Sequence, residues 1–137
     1  MDTVLNDIQA VVTNIQGNQE LNIVEFDFHG TTLSMMALEL SNKINIGSQV
    51  ILGAKPSHVT IAKDINLEIS YSNKIASKIL DILEGEFLCS IIMGVHGSKI
   101  ESLLTKKTLH KMNLKKNDDV VTLIKSSELF IKEVLDV

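Results

Sequence analysis

The chain has no tryptophan, a single tyrosine, a single proline and a single cysteine, and its aromatic side chains amount to 4% of residues. Each shortage excludes something. The lone Cys89 cannot form an internal disulfide or a zinc site built on paired thiolates, which points to a reducing compartment. The four phenylalanines and one tyrosine do not interleave with basic residues, so stacking platforms for single-stranded nucleic acid are missing. Cations are outnumbered, 13 Lys and Arg against 17 Asp and Glu for a net charge of −4, which argues against a protein that grips polyphosphate backbones. No run approaches the ~18 apolar residues of a membrane span, and the N-terminus lacks the basic and apolar regions of a secretory signal. A soluble cytoplasmic protein is expected. Paired carboxylates, an activated nucleophile and a cofactor fingerprint are also lacking at credible spacing, so neither an enzyme nor an organic cofactor is expected.

What is present is apolar material: 45% of 137 residues, enough for one medium core or two very small ones and incompatible with a disordered tail. It is written twice. An offset of 67 places Asn6 on Asn73, Ile8 on Ile75, Val12 on Ile79, Ile15 on Ile82 and His29-Gly30 on His96-Gly97. The second copy then gains three residues, and an offset of 70 places Val50 on Val120, Lys55 on Lys125, Ser57 on Ser127, Val59 on Leu129 and Ile61 on Ile131. The copies span residues 1–65 and 70–137. A unit of ~60 residues hides only ~60% of the surface its unfolded chain exposes, so the copies should pack on each other and on further chains, making a homo-oligomer.

Within each copy the dominant period is two. Val24, Phe26 and Phe28 share one face while Glu25 and Asp27 take the other, and Ile91, Met93 and Val95 match them in the second copy. FHGTTL and VHGSKI read as hairpin turns in which Gly30 and Gly97 supply positive φ. Return strands follow at 32–37 and 99–104, then QVILGAK and DVVTLIK, then short strands at 59–61 and 129–131. One small helix is expected per copy, around 38–43 and around 106–112, the second capped by Thr105. This pattern predicts an all-β chain of tandem OB-like Greek-key barrels, each with one short helix.

Two constellations carry chemistry. Lys55-Pro56-Ser57-His58 and Lys125-Ser126-Ser127-Glu128 each end one strand and open the next. A lysine followed by a tight turn with hydroxyls and free amides is an anion grip; it is equally a solvated lysine at a β-turn, and recurrence in both copies leaves the two readings about even. Thr105-Lys106-Lys107-Thr108 at a helix start reads as an oxyanion cradle or as ordinary N-capping, with capping favoured for this stretch alone. In the first copy Leu38 stands in place of Thr105 and Glu39 puts a carboxylate beside it.

These residues carry a resemblance. The segments 100–108, Met112-Asn113-Leu114 and 120–129, together with Asn6, His29-Gly30, Ile44-Asn45-Ile46-Gly47, Val50 and Lys55-Pro56-Ser57-His58-Val59, resemble the tandem molybdate-binding (Mop, or molbindin) family. That family is also described as molybdenum-pterin-binding and is related to the TOBE modules of transporter ATPases. The likeness covers nearly the whole chain and rests on order, spacing and duplication.

The resemblance implies cytoplasmic binding of molybdate or tungstate between subdomains, in trimers of tandem units, for storage, buffering or homeostasis. It places the lysine grip on Lys55, Pro56 and Ser57 and on Lys125, Ser126 and Ser127, and the helix-start hydroxyls on Thr105 and Thr108. The family's N-terminal Ser-x-Arg-Asn segment falls on Thr3 to Asn6 and on Ser70, Ser72 and Asn73. Its arginine is replaced by Leu5 and Ser72, which removes one charge-assisted donor from each site. Because the first copy has Leu38 where the second has Thr105, fewer than two equivalent sites per chain are expected. The alternative is a sensory module that relays the oxyanion to a transcription factor or transporter ATPase; lacking a helix-turn-helix and a GxxxxGK[ST] motif, the chain would need a partner for that.

His29 and His96 recur at equivalent positions and are candidate metal ligands, but each lies in a turn without carboxylate or thiolate spacing around it, so no metal cation is expected. Cys89, beside Ile91 and Met93, reads as a buried small hydrophobe, and Met35-Met36 as packing in or beside the core.

Overall fold

A computed structural model describes residues 5–18 and 20–135. Ten strands form: β1 (Ile8–Gly17), β2 (Asn22–Phe28), β3 (Thr31–Ala37), β4 (Gln49–Gly53), β5 (Thr60–Ala62), β6 (Asn73–Glu84), β7 (Leu88–Val95), β8 (Ser98–Thr105), β9 (Asp119–Ile124) and β10 (Phe130–Leu135), with one α-helix, α1 (Lys106–Met112). Two strictly antiparallel sheets result, ordered β10-β4-β1-β2-β3 and β5-β9-β6-β7-β8. Each curls into a half-barrel, and the fold is all-β, of the tandem OB-like kind that the alternation of buried and exposed positions predicts.

The repeat extends to irregularities of the first hairpin in each copy, although the bulge of β10 against β4 between Ile131 and Glu133 has no counterpart between β5 and β9. β1 bulges against β2 between Val12 and Asn14, and β6 bulges against β7 between the equivalent Ile79 and Asp81. Both hairpins turn through His-Gly with positive φ at both residues, 49° and 87° at His29-Gly30 and 46° and 82° at His96-Gly97. That is the type I′ geometry whose twist matches flanking strands, with glycine at the second position, where φ is most positive.

The copies nevertheless exchange their ends. β5 lies in the first half of the chain but pairs with β9 of the second sheet, and β10 pairs with β4 of the first. The boundary between repeats in sequence therefore differs from the boundary between sheets. One core runs through both halves, joining Ile8, Val12, Phe26 and Leu52 with Ile75, Ile79, Ile91 and Ile124. Cys89 is 1% exposed within it, and Met35 is buried while its neighbour Met36 faces outward.

The helix expected around 38–43 does not form. That stretch is a bend followed by a turn, in which the Ser41 hydroxyl accepts from the Lys43 N–H and the Ser41 carbonyl from the Ile44 N–H. Its physical cause is local. Thr105 caps α1 by accepting the Thr108 N–H, whereas Leu38 offers no acceptor at the corresponding place, and Ser41-Asn42 favour side-chain bonding to the backbone over continuing a helix. α1 also buries Leu109 and ends on Asn113 in the left-handed region (φ 52°).

Candidate functional site

The two lysine turns close with the same backbone hydrogen bond, although only the first continues as a 3₁₀ turn, its Val59 N–H donating to the Pro56 carbonyl (3.3 Å). The His58 N–H donates to the Lys55 carbonyl (2.8 Å) and the Glu128 N–H to the Lys125 carbonyl (2.9 Å). Pro56 opens the first turn, where its missing N–H costs nothing and its fixed φ suits the 3₁₀ geometry of Pro56–His58. Lys55, Ser57, Lys125 and Ser127 are exposed, and Ser126 is half-buried. Among the described residues the Ser126 and Ser127 N–H groups reach no backbone carbonyl, which leaves two aimed donors beside an ammonium. The second turn is braced: Lys125 Nζ stands 5.8 Å from the Tyr71 ring centre, and the Tyr71 hydroxyl bonds Thr60 Oγ1 (3.0 Å). Copy one has no counterpart, since its residue equivalent to Tyr71 is Val4.

Pairs of equivalent residues meet, which defines an approximate two-fold axis through the chain. His29 stacks on His96 with ring centres 4.8 Å apart, and Phe28 presents its edge to both. Further along, His58 Nδ1 lies 3.2 Å from Glu128 Oε2. This second meeting brings the two turns into one cleft of about 170 Å³ lined by Lys55, His58, Ser127, Glu128, Leu129 and Phe130. Sequence reasoning missed the pair, although the offset of 70 that aligns Lys55 with Lys125 also aligns His58 with Glu128.

Asn6 and Asn73 do something structural and reciprocal. Asn73 Oδ1 accepts from the Ser34 N–H (2.7 Å) and its Nδ2 donates to the Ser34 carbonyl (2.9 Å). Asn6 makes the same two-point pairing with Glu101, the equivalent of Ser34, and spends its second amide hydrogen on the Ala54 carbonyl (2.8 Å). Both are buried. Asn6 thus has no side-chain donor left for a ligand, and each asparagine ties one copy to the outer strand of the other.

Thr105 is likewise occupied. Its hydroxyl accepts the Thr108 N–H (3.2 Å) and donates to Thr108 Oγ1 (2.9 Å), so the hydroxyl proton left over belongs to Thr108. Lys106 faces Glu84 at 3.8 Å. Ser70 and Ser72 are exposed ahead of β6, on the same approach as Tyr71; Thr3 lies outside the described residues. Of the expected site residues only Lys55 and Ser127 line the cleft; Pro56, Ser57, Lys125, Ser126, Thr105, Thr108, Ser70 and Ser72 do not. All thirteen cationic side chains of the chain are lysines, so no bidentate guanidinium is available anywhere to replace the donor missing at Leu5 and Ser72.

Among the described residues no three His, Cys, Asp or Glu side chains gather as metal ligands, and no helix is long and apolar enough to cross a membrane.

Two curled five-stranded sheets with exchanged end strands and a shared core define a tandem OB-like barrel protein, in which a lysine turn recurs in each copy. No family model and no curated protein matches the chain. Among solved structures it is similar to ModG, a cytoplasmic molybdate-binding protein determined with molybdate bound: the TM-score is 0.85 at 20% identity, over 96% of this chain and 98% of that one. At that identity the likeness establishes the fold.

Proposed function

We propose that this chain is a non-enzymatic oxyanion-binding protein whose ligand is molybdate or tungstate, acting in the cytoplasm as a store or buffer and assembling as a trimer of tandem units. The observation that carries the reading is the end-to-end match in fold to molybdate-bound ModG, joined to two lysine turns closed by the same backbone hydrogen bond. The anchors are Lys125, Ser126 and Ser127, with Lys55, Pro56 and Ser57 in the weaker copy. Ser70, Ser72 and Thr108 supply further hydroxyls to an apposed unit.

The chemistry follows from donors. Molybdate is fully deprotonated at neutral pH, so it is matched by a site of N–H, O–H and ammonium groups, while hydrogen phosphate also needs an acceptor for its proton. Sulfate has the same charge and protonation, so size separates it from the larger metal oxyanions. A ligand that seals the junction between units stabilises the assembly by mass action, about 2.7 kcal/mol at a hundredfold excess over Kd. The test is a thermal-shift series with molybdate, tungstate, sulfate and phosphate. Protection by the first two alone is expected; equal shifts with sulfate, or none with molybdate, would contradict the proposal.

A further inference from the structure

The cleft between the two lysine turns contains an ammonium, an imidazole and a hydroxyl, and also one carboxylate. Lys55, His58 and Ser127 are what an oxyanion needs, but Glu128 lines the same 170 Å³, with Oε2 3.2 Å from His58 Nδ1. Glu128 reaches the cleft because the approximate two-fold axis opposes it to His58, its own equivalent in the other copy. The carboxylate is 31% exposed and the imidazole 43% exposed, so the contact is formed at the solvent-facing rim of the cleft.

We infer that Glu128 is a specificity-determining residue that acts as a built-in anion, occupying the position of a ligand between the turns and excluding fully deprotonated oxyanions from the Lys55 side. The inference rests on the oxyanion-binding reading above. Like charges at a few ångströms repel, and the His58 Nδ1 that would otherwise be open to a ligand is already engaged by the carboxylate. The Lys125 turn escapes this effect on its outer side, where the lysine stands against Tyr71 instead of a carboxylate. The two copies therefore differ in ligand competence despite closing their turns with the same backbone hydrogen bond, and the difference comes from one side chain contributed by the other copy.

The experiment is calorimetric titration of molybdate into the intact protein and into Glu128→Gln, with Glu86→Gln, a remote exposed carboxylate on the β6–β7 turn, as the control for net charge. Glutamine keeps the shape and can still accept from His58. The expected result is one additional molybdate per chain in Glu128→Gln, or at least a tenfold tighter weakest site, with Glu86→Gln unchanged. A Glu128→Gln isotherm that superimposes on that of the unaltered protein, where the latter binds molybdate, overturns the role of Glu128 and leaves the binding function standing. An equal gain in Glu86→Gln also overturns it, by assigning the effect to net charge. Silence from the unaltered protein with binding by Glu128→Gln supports it in its strongest form, and silence from both overturns the oxyanion reading itself and this inference with it.

Discussion

At the scale of single residues, the chain assigns different work to groups that look alike in sequence. Lys125 and Asn73 both sit in segments that resemble an anion-binding family, yet one is an exposed cation braced by Tyr71 and the other a buried amide paired to the Ser34 peptide. Lys125→Ala should weaken molybdate binding by a charge-assisted hydrogen bond, about 1.5–3 kcal/mol or roughly ten- to hundredfold in Kd, read by titration calorimetry. Unchanged affinity would remove Lys125 from the site. Asn73→Ala should instead destabilise the fold by about 1–3 kcal/mol in urea unfolding, because it leaves the half-buried N–H and C=O of Ser34 in β3 without partners. A loss under half a kcal/mol would show that water replaces the amide. The lysine turns were legible in sequence because a Lys before small hydroxyl residues recurs at a fixed offset. Opposing His58 to Glu128 was not, since nothing in either turn specifies which residues face it across an axis.

At the scale of elements, period-two patterning placed β3 and β8 within a residue of their observed bounds and found the ends of β2 and β7 but not their first two or three residues, and His-Gly located both hairpin turns. Patterning fails where the local signal is a competition. Leu38 to Lys43 carries helix-compatible residues, but without a capping side chain it settles into a bend closed by Ser41. The same logic makes the helix of copy two dependent on its cap: Thr105→Ala should cost about 1 kcal/mol of stability, measured by chemical denaturation. A neutral substitution would mean that burial of Leu109 alone holds α1 in place.

At the scale of the whole molecule, duplication was visible in sequence while strand exchange was not. Alternation reports which face of a strand is buried and is silent about which neighbour it pairs with, so β5 and β10 read equally well as closing their own copy. Their exchange, the Asn6 and Asn73 cross-ties and the single core make the two copies one cooperative unit. Differential scanning calorimetry should show one unfolding transition, and residues 1–65 expressed alone should not fold, since they lack the β10 that covers the edge of β4. Two separable transitions would contradict this. The proposed trimer would bring exposed hydroxyls and lysine turns of different units together, and so let a chain without a single arginine collect enough donors to hold a dianion.

The most direct test of the central claim is titration calorimetry of the intact protein, its assembled mass fixed by light scattering, with molybdate and sulfate in parallel. The account predicts saturable molybdate binding, fewer than two equivalent sites per chain and no heat from sulfate. No binding of molybdate, or binding indistinguishable from sulfate, would contradict it.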